Sequence, residues 1–310
     1  TTNTINVDFS GTGTYVGNLT NVDALSISSG TMTVSDDILG TLGTSGAGNI
    51  IVQVNSNSSQ DFTNLSLSGS ETIQFTADST FTGNFQNSNV SIDTGVTLTT
   101  DASKVTSKIV SGTGTLSVTN LDGTLNADFT NVNPSNLNVD WTGTNTYTGN
   151  LTNVDALTVS SGAMTTDATI LNEATAITNN GTLNVTNLEA VANMDLTKVT
   201  NNSTLNADWS GSATYTGNLN DASLTVSSGT MTVSDSATIS SASSIVVDGT
   251  LIANASKVTA DTISGSGTLN INNLDSTLNA DFTNLTTNTI NVDFSGTGTY
   301  VGNLTNVDAL

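Results

Sequence analysis

Four short segments of the chain place one aspartate and two aromatic side chains at the same spacing. In each, Phe or Trp follows the aspartate directly, and a tyrosine lies six residues beyond that ring. Carboxylates can act as general acids, bases or metal ligands, and aromatic faces can stack on sugars. These segments, called the aromatic anchors below, contain Asp8, Phe9 and Tyr15; Asp140, Trp141 and Tyr147; Asp208, Trp209 and Tyr215; and Asp293, Phe294 and Tyr300.

Glycoside hydrolysis requires only two carboxylates, so catalysis by these aspartates has to be considered. An enzyme, however, needs one distinct cleft, whereas the aspartates of this chain recur with its repeats. We therefore expect them to accept hydrogen bonds from backbone amides at turns, and we predict that the protein is not an enzyme. The recurring aspartates are Asp8, Asp128, Asp140, Asp208 and Asp281.

Eliminative cleavage of acidic polysaccharides needs a strong base such as Arg or Lys. The chain has no Arg or His, and three of its four lysines, Lys104, Lys198 and Lys257, share one context, Lys-Val-Thr. A position that recurs in this way indicates a structural role, such as neutralising a neighbouring aspartate, rather than a catalytic one.

Calcium is a further candidate ligand for the carboxylates, because hard cations bind clustered oxygen atoms. The Gly-Gly-x-Gly-x-Asp repeat and the EF-hand spacing are both absent from the sequence. Solvated acidic faces and capped turns are the simpler interpretation. We predict no cofactor, although weak calcium binding stays open.

The aromatic anchors allow two interpretations. Their rings could form a ladder that stacks glycans, or they could fill a widened part of the core and brace neighbouring elements. Successive anchors are 132, 68 and 85 residues apart, which separates them by several turns of any repeating fold. This spacing favours structural bracing.

The elements that carry the anchors are predicted to be strands. Thr115–Thr119, Thr182–Thr186 and Thr268–Asn272 alternate strictly between polar and apolar residues, which is typical of half-buried strands. Gly and Asn separate most such segments, and one strand recurs about every 22 residues, the length of one coil of a β-solenoid. We therefore predict an all-β parallel β-solenoid with roughly 13 coils per repeat unit, in preference to an array of β-sandwiches. The single proline, Pro134, should lie at a corner between strands.

The chain also repeats itself at long range. Residues 286–310 are identical to residues 1–25, which defines a period of 285 residues. We expect residues 1–310 to form one continuous solenoid, cut from a longer tandem array. The anchors divide it into sub-repeats 6–137, 138–205 and 206–290, with the next copy starting at residue 291, so each unit should contain three anchors.

The charge of the chain restricts its partners. Four Lys or Arg residues against 26 acidic ones give a net charge of −22. Nucleic acid and anionic membrane surfaces would be repelled, and no apolar run reaches the roughly 20 residues of a membrane helix. An acidic chain without cysteine suits an extracellular setting, where divalent cations screen its charge.

Two pairs of segments resemble a known family. Gly143–Gly149 with Leu157–Gly162, and Ser212–Gly217 with Leu224–Val233, are similar to the repeats of bacterial autotransporter passenger domains. This resemblance implies a right-handed parallel β-helix on a bacterial surface, in a class dominated by adhesins and stalks.

These observations together predict a non-enzymatic structural protein. It would form the rod or shaft of an extracellular bacterial filament or large surface adhesin, with other copies of itself as partners, end to end and side by side. A glycan-binding adhesin segment that uses the aromatic anchors is the main alternative, and a polysaccharide-degrading β-helix enzyme is a third.

Overall fold

The protein is all-β, with parallel sheets stacked as a β-solenoid of about 15 turns. The structure, a computed structural model, describes residues 4–240, 242–259, 262–278 and 280–310. The predicted fold class is therefore confirmed. The chain divides into two compact units: unit 1 contains Thr1–Trp141 with Gly149–Leu157, and unit 2 contains Thr142–Thr148 with Thr158–Leu310.

Unit 1 is built from short parallel strands and two one-turn helices, α1 (Asp36–Leu39) and α2 (Ala102–Val105). One sheet has the order β10-β8-β6-β4-β2-β3-β5, with β1 paired to β2, and a second contains β12-β11-β9-β7. The strands are β1 (Asn6–Tyr15), β2 (Ala24–Ser35), β3 (Thr44–Gly46), β4 (Asn49–Val54), β5 (Leu65–Leu67), β6 (Glu71–Phe75), β7 (Ser79–Phe81), β8 (Asn89–Ile92), β9 (Thr97–Asp101), β10 (Val110–Gly112), β11 (Thr115–Leu121) and β12 (Asn136–Trp141).

Unit 2 repeats this construction with helices α3 (Ala168–Leu171) and α4 (Ala255–Val258) and two 3₁₀ turns, Leu188–Val191 and Leu196–Lys198. Its sheets run β13-β15-β17-β19-β21-β23-β25-β27 and β20-β22-β24-β26-β28, and β18-β16-β14 form a third row of paired strands. The strands are β13 (Thr144–Tyr147), β14 (Ala156–Val159, shared with unit 1), β15 (Ala163–Asp167), β16 (Ala176–Asn179), β17 (Thr182–Thr186), β18 (Val199–Asn201), β19 (Thr204–Trp209), β20 (Ser212–Tyr215), β21 (Ser223–Val226), β22 (Thr230–Val233), β23 (Ser244–Val247), β24 (Thr250–Asn254), β25 (Ile263–Ser264), β26 (Thr268–Leu274), β27 (Leu285–Thr286) and β28 (Thr289–Phe294).

The core of each unit consists of rows of stacked apolar side chains. Leu98, Leu116 and Leu137 pair directly across β9, β11 and β12, and all three are fully buried. The register of these strands keeps inward residues on inward residues, because a slip of one residue would turn the apolar set toward solvent. Each such buried leucine contributes about 1.5–3 kcal/mol of apolar burial. The apolar positions of the alternating segments in the sequence are thus the residues that form the core.

The one-turn helices lie where a strand ends and the chain turns. At α2 and α3 the N-cap is an aspartate: Asp101 accepts a bond of 2.9 Å from the Ser103 amide, and Asp167 one of 2.8 Å from the Thr169 amide. Aspartate in this position satisfies a backbone donor that has no partner within the helix. Pro134 lies just before β12 and outside any strand, as predicted.

Candidate functional site

The two internal aromatic anchors are corners at which two consecutive strands each end in an inward-facing ring, as β12 and β13 do at Trp141 and Tyr147. In the third anchor, β19 ends at Trp209 and β20 ends at Tyr215. Their rings meet edge to face, with centroids 6.1 Å apart and an interplanar angle of 88°. Phe294 and Tyr300 repeat this arrangement at 6.4 Å and 75°. The recurring sequence spacing therefore encodes a recurring aromatic contact.

Both polar tips of the third anchor bind backbone carbonyls. The indole Nε1 of Trp209 donates to the Gly211 carbonyl at 3.0 Å, and the Tyr215 hydroxyl donates to the Met194 carbonyl at 3.0 Å. Burial raises the pKa of Tyr215, with a further contribution from the Asp195 carboxylate, so the hydroxyl remains a donor. The tyrosine thereby ties its own coil to the preceding one.

The two internal anchors are fully buried. Trp141, Tyr147, Trp209 and Tyr215 each have 0% exposed surface. In the first and last anchors, by contrast, the Phe and Tyr rings are only half-buried. Among the described residues, the strand of each of those two anchors pairs with one neighbouring strand, β1 with β2 and β28 with β26, which explains the difference.

A further anchor, not predicted from the sequence, lies inside the predicted sub-repeat 6–137. Gln74, Phe75 and Phe81 occupy the Asp, Trp and Tyr positions, and the two phenyl rings meet edge to face at 5.8 Å and 78°. From Asp8 to Gln74 to Asp140 the steps are 66 and 66 residues, so four anchors rather than three occur in each 285-residue period. Substitution of the Asp and Tyr positions hid this anchor, but Thr-Gly-Asn follows its second ring, as in the second anchor, and was the available signal.

Two further phenylalanine rings pack against this additional anchor. Phe85 stacks on Phe81 with ring centroids 4.2 Å apart. Phe62 also stacks on Phe81, with ring centroids 6.0 Å apart. All four phenylalanines are at most 2% exposed. Because a phenylalanine lacks a hydroxyl group, this anchor is held by ring packing alone rather than by polar tips.

Turns closed by an aspartate or asparagine form a second recurring corner. Asp128 accepts bonds from the Thr130 amide at 2.9 Å and the Thr130 hydroxyl at 2.6 Å, and Asp281 does the same with Thr283. The hydroxyl and then the amide hold the pKa of each carboxyl below its usual range. The predicted turn role is confirmed for these two residues. Asp8 differs, since it accepts a bond from the Ser28 hydroxyl of the next turn.

These corners stack on one another from turn to turn. The sequence pattern Asp or Asn, one apolar residue, then Thr marks most of them. Isolated parallel bridges connect four pairs of closing residues: Asp61 with Asn84, Asp128 with Asn150, Asp195 with Asn218, and Asp281 with Asn303. A carboxylate thus lies over a neutral amide rather than over a second carboxylate, which limits charge repulsion along the stack.

Asparagines with left-handed backbone connect neighbouring turns at the helix caps. Asn120 and Asn187 have φ values of 57° and 53°, and their side-chain amides donate to Asp101 at 3.1 Å and Asp167 at 2.7 Å. Asparagine tolerates this backbone region better than most residues with a side chain. Each bond joins residues of two separate coils, so no local sequence pattern predicts it.

Glu189 forms a clamp beside the third anchor. Its carboxylate accepts bonds from the Ser210 amide at 3.0 Å and the Ser210 hydroxyl at 2.9 Å. Burial raises the pKa of Glu189, but these hydrogen bonds outweigh burial and leave the pKa below its ordinary value. A charged Glu189 therefore stabilises the residue that follows Trp209.

Two lysines of the Lys-Val-Thr context bind carbonyl groups of the preceding turn. Lys198 Nζ donates to the carbonyls of Leu171 at 3.2 Å and Ala174 at 3.1 Å, at the end of α3. Lys257 Nζ donates to the carbonyls of Asp235 and Ala237, both at 2.7 Å. The predicted structural role is confirmed for these two, although the partners are carbonyls. Burial raises the pKa of Asp101, but hydrogen bonds from Ser103 and Asn120 and, least of all, the charge of Lys104 leave that pKa below its ordinary value.

Side-chain ladders cover the outer faces of the sheets. Asn206 donates to Asn184 at 2.8 Å, and Asn291 donates to Asn270 at 2.9 Å, each across one turn. Such ladders give outward-facing polar side chains hydrogen-bond partners in the neighbouring turns. Asparagines at these positions therefore bond to their equivalents in neighbouring turns.

Within the described ranges, no group of three or more Asp or Glu side chains is placed to hold a metal ion. In the same part of the chain, no helix has the length and apolar character needed to cross a membrane. Comparisons with known protein families, with curated proteins and with solved structures found no match to this chain.

Proposed function

We propose that the protein is a structural β-solenoid, the shaft of an extracellular filament or large surface adhesin. The observation that carries this proposal is that each of the structural features described above is repeated along the chain. Aromatic corners, aspartate turns, asparagine bridges and lysine caps each recur along the chain, and each connects one turn to the next. Such an arrangement suits a role in which stiffness and length matter.

The burial of the anchors supports bracing over glycan recognition. A sugar can stack only on a ring whose face is accessible, whereas Trp141 and Trp209 have no exposed surface. The polar tips of Trp209 and Tyr215 are already bonded to the backbone. These rings act as core elements that fill a corner and fix the turn.

The finer identification rests on sequence. The similarity of Gly143–Gly149 and Ser212–Gly217 to autotransporter passenger repeats, and the net charge of −22, support a bacterial cell-surface setting. In this proposal the partners are further copies of the same repeat, and the acidic faces keep neighbouring shafts apart unless cations screen them.

Electron microscopy of chains with one, two and four consecutive 285-residue copies tests the proposal. We expect thin threads whose length grows by about 60 Å per added copy, from a spacing of about 4.8 Å per coil. Compact particles whose length does not grow with copy number would contradict it. A glycan array with the same chains provides the second arm, and binding lost on Trp209→Ala without loss of folding would favour the adhesin alternative.

A further inference from the structure

Helix α1 differs from the other three helices in the residue that it buries. Each helix begins with a residue packed into the core. In α2, α3 and α4 this residue is an alanine with 0% exposed surface: Ala102, Ala168 and Ala255. In α1 it is Asp36, which is only 8% exposed. A carboxyl group thus occupies a position that takes a methyl group in the other helices.

The N-cap of α1 also lacks a bond that two of the other helices have. Asp101 and Asp167 each accept a bond from the backbone of their helix, whereas Ser35, the N-cap of α1, makes no such side-chain bond. The N-cap of α4, Asn254, makes none either, but it accepts a bond of 2.8 Å from Asn273 of the next turn. Without a cap bond, a backbone donor of the first helical turn has no side-chain partner there.

The asparagine that connects each of the other caps to the next turn has no counterpart at α1. At α2, α3 and α4 this asparagine directly follows the residue that pairs with the cap, and it is Asn120, Asn187 and Asn273 respectively. Ser35 pairs with Gln53, and the residue that follows is Val54. Among the four described helices, α1 therefore has neither the cap bond nor the asparagine bridge.

Within the described ranges, the hydrogen-bond partners of the Asp36 carboxyl group are uncharged. They are the Ser58 hydroxyl of the next turn and the backbone amides of Asp37 and of Asp36 itself. Burial raises the pKa of Asp36 and outweighs these hydrogen bonds, which lower it, while the charge of Asp37 raises it further. The fold therefore favours the neutral form of this carboxyl group.

In the part of the chain that the structure describes, no positive charge compensates an ionised Asp36. The strands packed against α1 are β2 and β4, and neither contains a titratable residue. Asp37, on the helix itself, is the charged neighbour that acts on the carboxyl group. Asp23, in the turn before β2, lines the surface cleft beside Asp37 and Leu39 and is also acidic. A buried carboxylate without an opposite charge destabilises the packing around it.

We infer that α1 is a pH-sensitive joint of the solenoid. With the Asp36 carboxyl group neutral, α1 packs as the other helices do. When that group is ionised, residues 36–43 open locally and bring it into water. This inference goes beyond the proposed function, because it concerns the stability of one corner and holds whether or not the chain forms a shaft.

The direction of the pH dependence follows from the raised pKa. In the open segment Asp36 has the ordinary aspartate pKa of about 3.9, so the stability of the closed state is fully present below that value. It is lost as the pH rises through the higher pKa of the closed state. Since closing binds one proton in this interval, the closing equilibrium should weaken by up to about tenfold per pH unit. Glu189 has the opposite dependence, because its pKa is lowered.

Hydrogen exchange of the whole chain, corrected for the intrinsic exchange rate at each pH, tests the joint. From about pH 4 to about pH 7, the amides of residues 36–43 in the wild-type chain should lose protection. The amides of α2 should keep theirs over this range, since the pKa of Asp101 is lowered. Asp36→Ala restores the residue of the other helices. It should make the protection of residues 36–43 independent of pH and greater than in the wild type at pH 7.

Two further variants separate the charge of Asp36 from other effects. Asp36→Asn removes the charge and keeps the shape, so it should also abolish the pH dependence, and it replaces Asp36→Ala if that variant does not fold. Asp37→Asn is the matched control on the same helix. In it the loss of protection should persist over a narrower pH range, because the charge of Asp37 no longer raises the pKa of Asp36. Constant protection of residues 36–43 in the wild-type chain, or a loss that persists in the folded Asp36 variants, would overturn the inference.

Discussion

Replacement of Trp209 gives the most direct measure of what an anchor contributes. The side chain is completely buried, it meets Tyr215 edge to face at 6.1 Å, and its N–H bonds Gly211 at 3.0 Å. Truncating a buried tryptophan to alanine costs about 3–5 kcal/mol, because apolar burial is lost and a cavity remains. The edge-to-face contact accounts for about 0.5–1.5 kcal/mol of this total.

Trp209→Phe should cost far less than Trp209→Ala. Phenylalanine occupies the same position at Phe75 and Phe294, where it makes the same edge-to-face contact. The Gly211 carbonyl also keeps a second donor, the Thr230 amide at 2.9 Å, after the indole N–H is removed. We therefore expect a loss of about 1–2 kcal/mol for Trp209→Phe.

Urea unfolding followed by far-UV circular dichroism measures both losses, and hydrogen exchange locates them along the chain. Exchange is needed because a solenoid can unfold in parts. Protection should fall most in β19, β20 and the turns that pair with them. Val16→Ala, at a side chain that is 82% exposed, is the control. If Trp209→Ala unfolds at the same urea concentration as Val16→Ala, the assignment of the anchors as core braces is wrong.

Three further predictions concern the bonds between turns. The folded state lowers the pKa of Glu189, so the stability that its carboxylate contributes is complete above the ordinary glutamate pKa of about 4.3 and is lost as the pH falls through the lower folded-state pKa. Glu189→Gln should remove that part of the pH dependence of the unfolding midpoint. An unchanged pH profile would contradict the clamp. Lys198→Met should destabilise the fold by about 1–3 kcal/mol, because two carbonyls at the end of α3 lose a charged donor, whereas Lys104→Met should stay within about 0.5 kcal/mol in the same thermal melt. Asn187→Gly keeps the left-handed backbone but loses the side-chain bonds to Asp167 and from the Ser210 hydroxyl, and Asn187→Ala loses the same two bonds. Asn187→Ala should therefore be less stable than Asn187→Gly by about 1 kcal/mol in urea titrations, because only alanine is strained in this backbone region; equal losses would show that backbone strain is unimportant there.

The additional anchor shows where sequence comparison fails. Gln74 and Phe81 replace the Asp and Tyr of the other anchors, yet the rings of Phe75 and Phe81 meet in the same way. The geometry needs only two inward-facing rings at the ends of consecutive strands, so it tolerates changes of identity that a residue motif does not. The carboxylate at the anchor is dispensable for the ring contact, which could not be known from four copies that all contain it.

Local patterns alone determined the all-β class, the inward rows and the turns at Asp128 and Asp281, since alternation and aspartate turns depend on residues only a few positions apart. Which way the anchor rings face was decided only by tertiary structure. From the sequence alone, Trp209 is compatible with a glycan-stacking surface. In the structure, β19 and β20 place it beside Tyr215 inside the solenoid. The bonds of Asn187 and Lys198 likewise join residues 20 to 27 positions apart. Their partners come into reach only when one turn is laid on the next, because the length of each turn sets which residues meet.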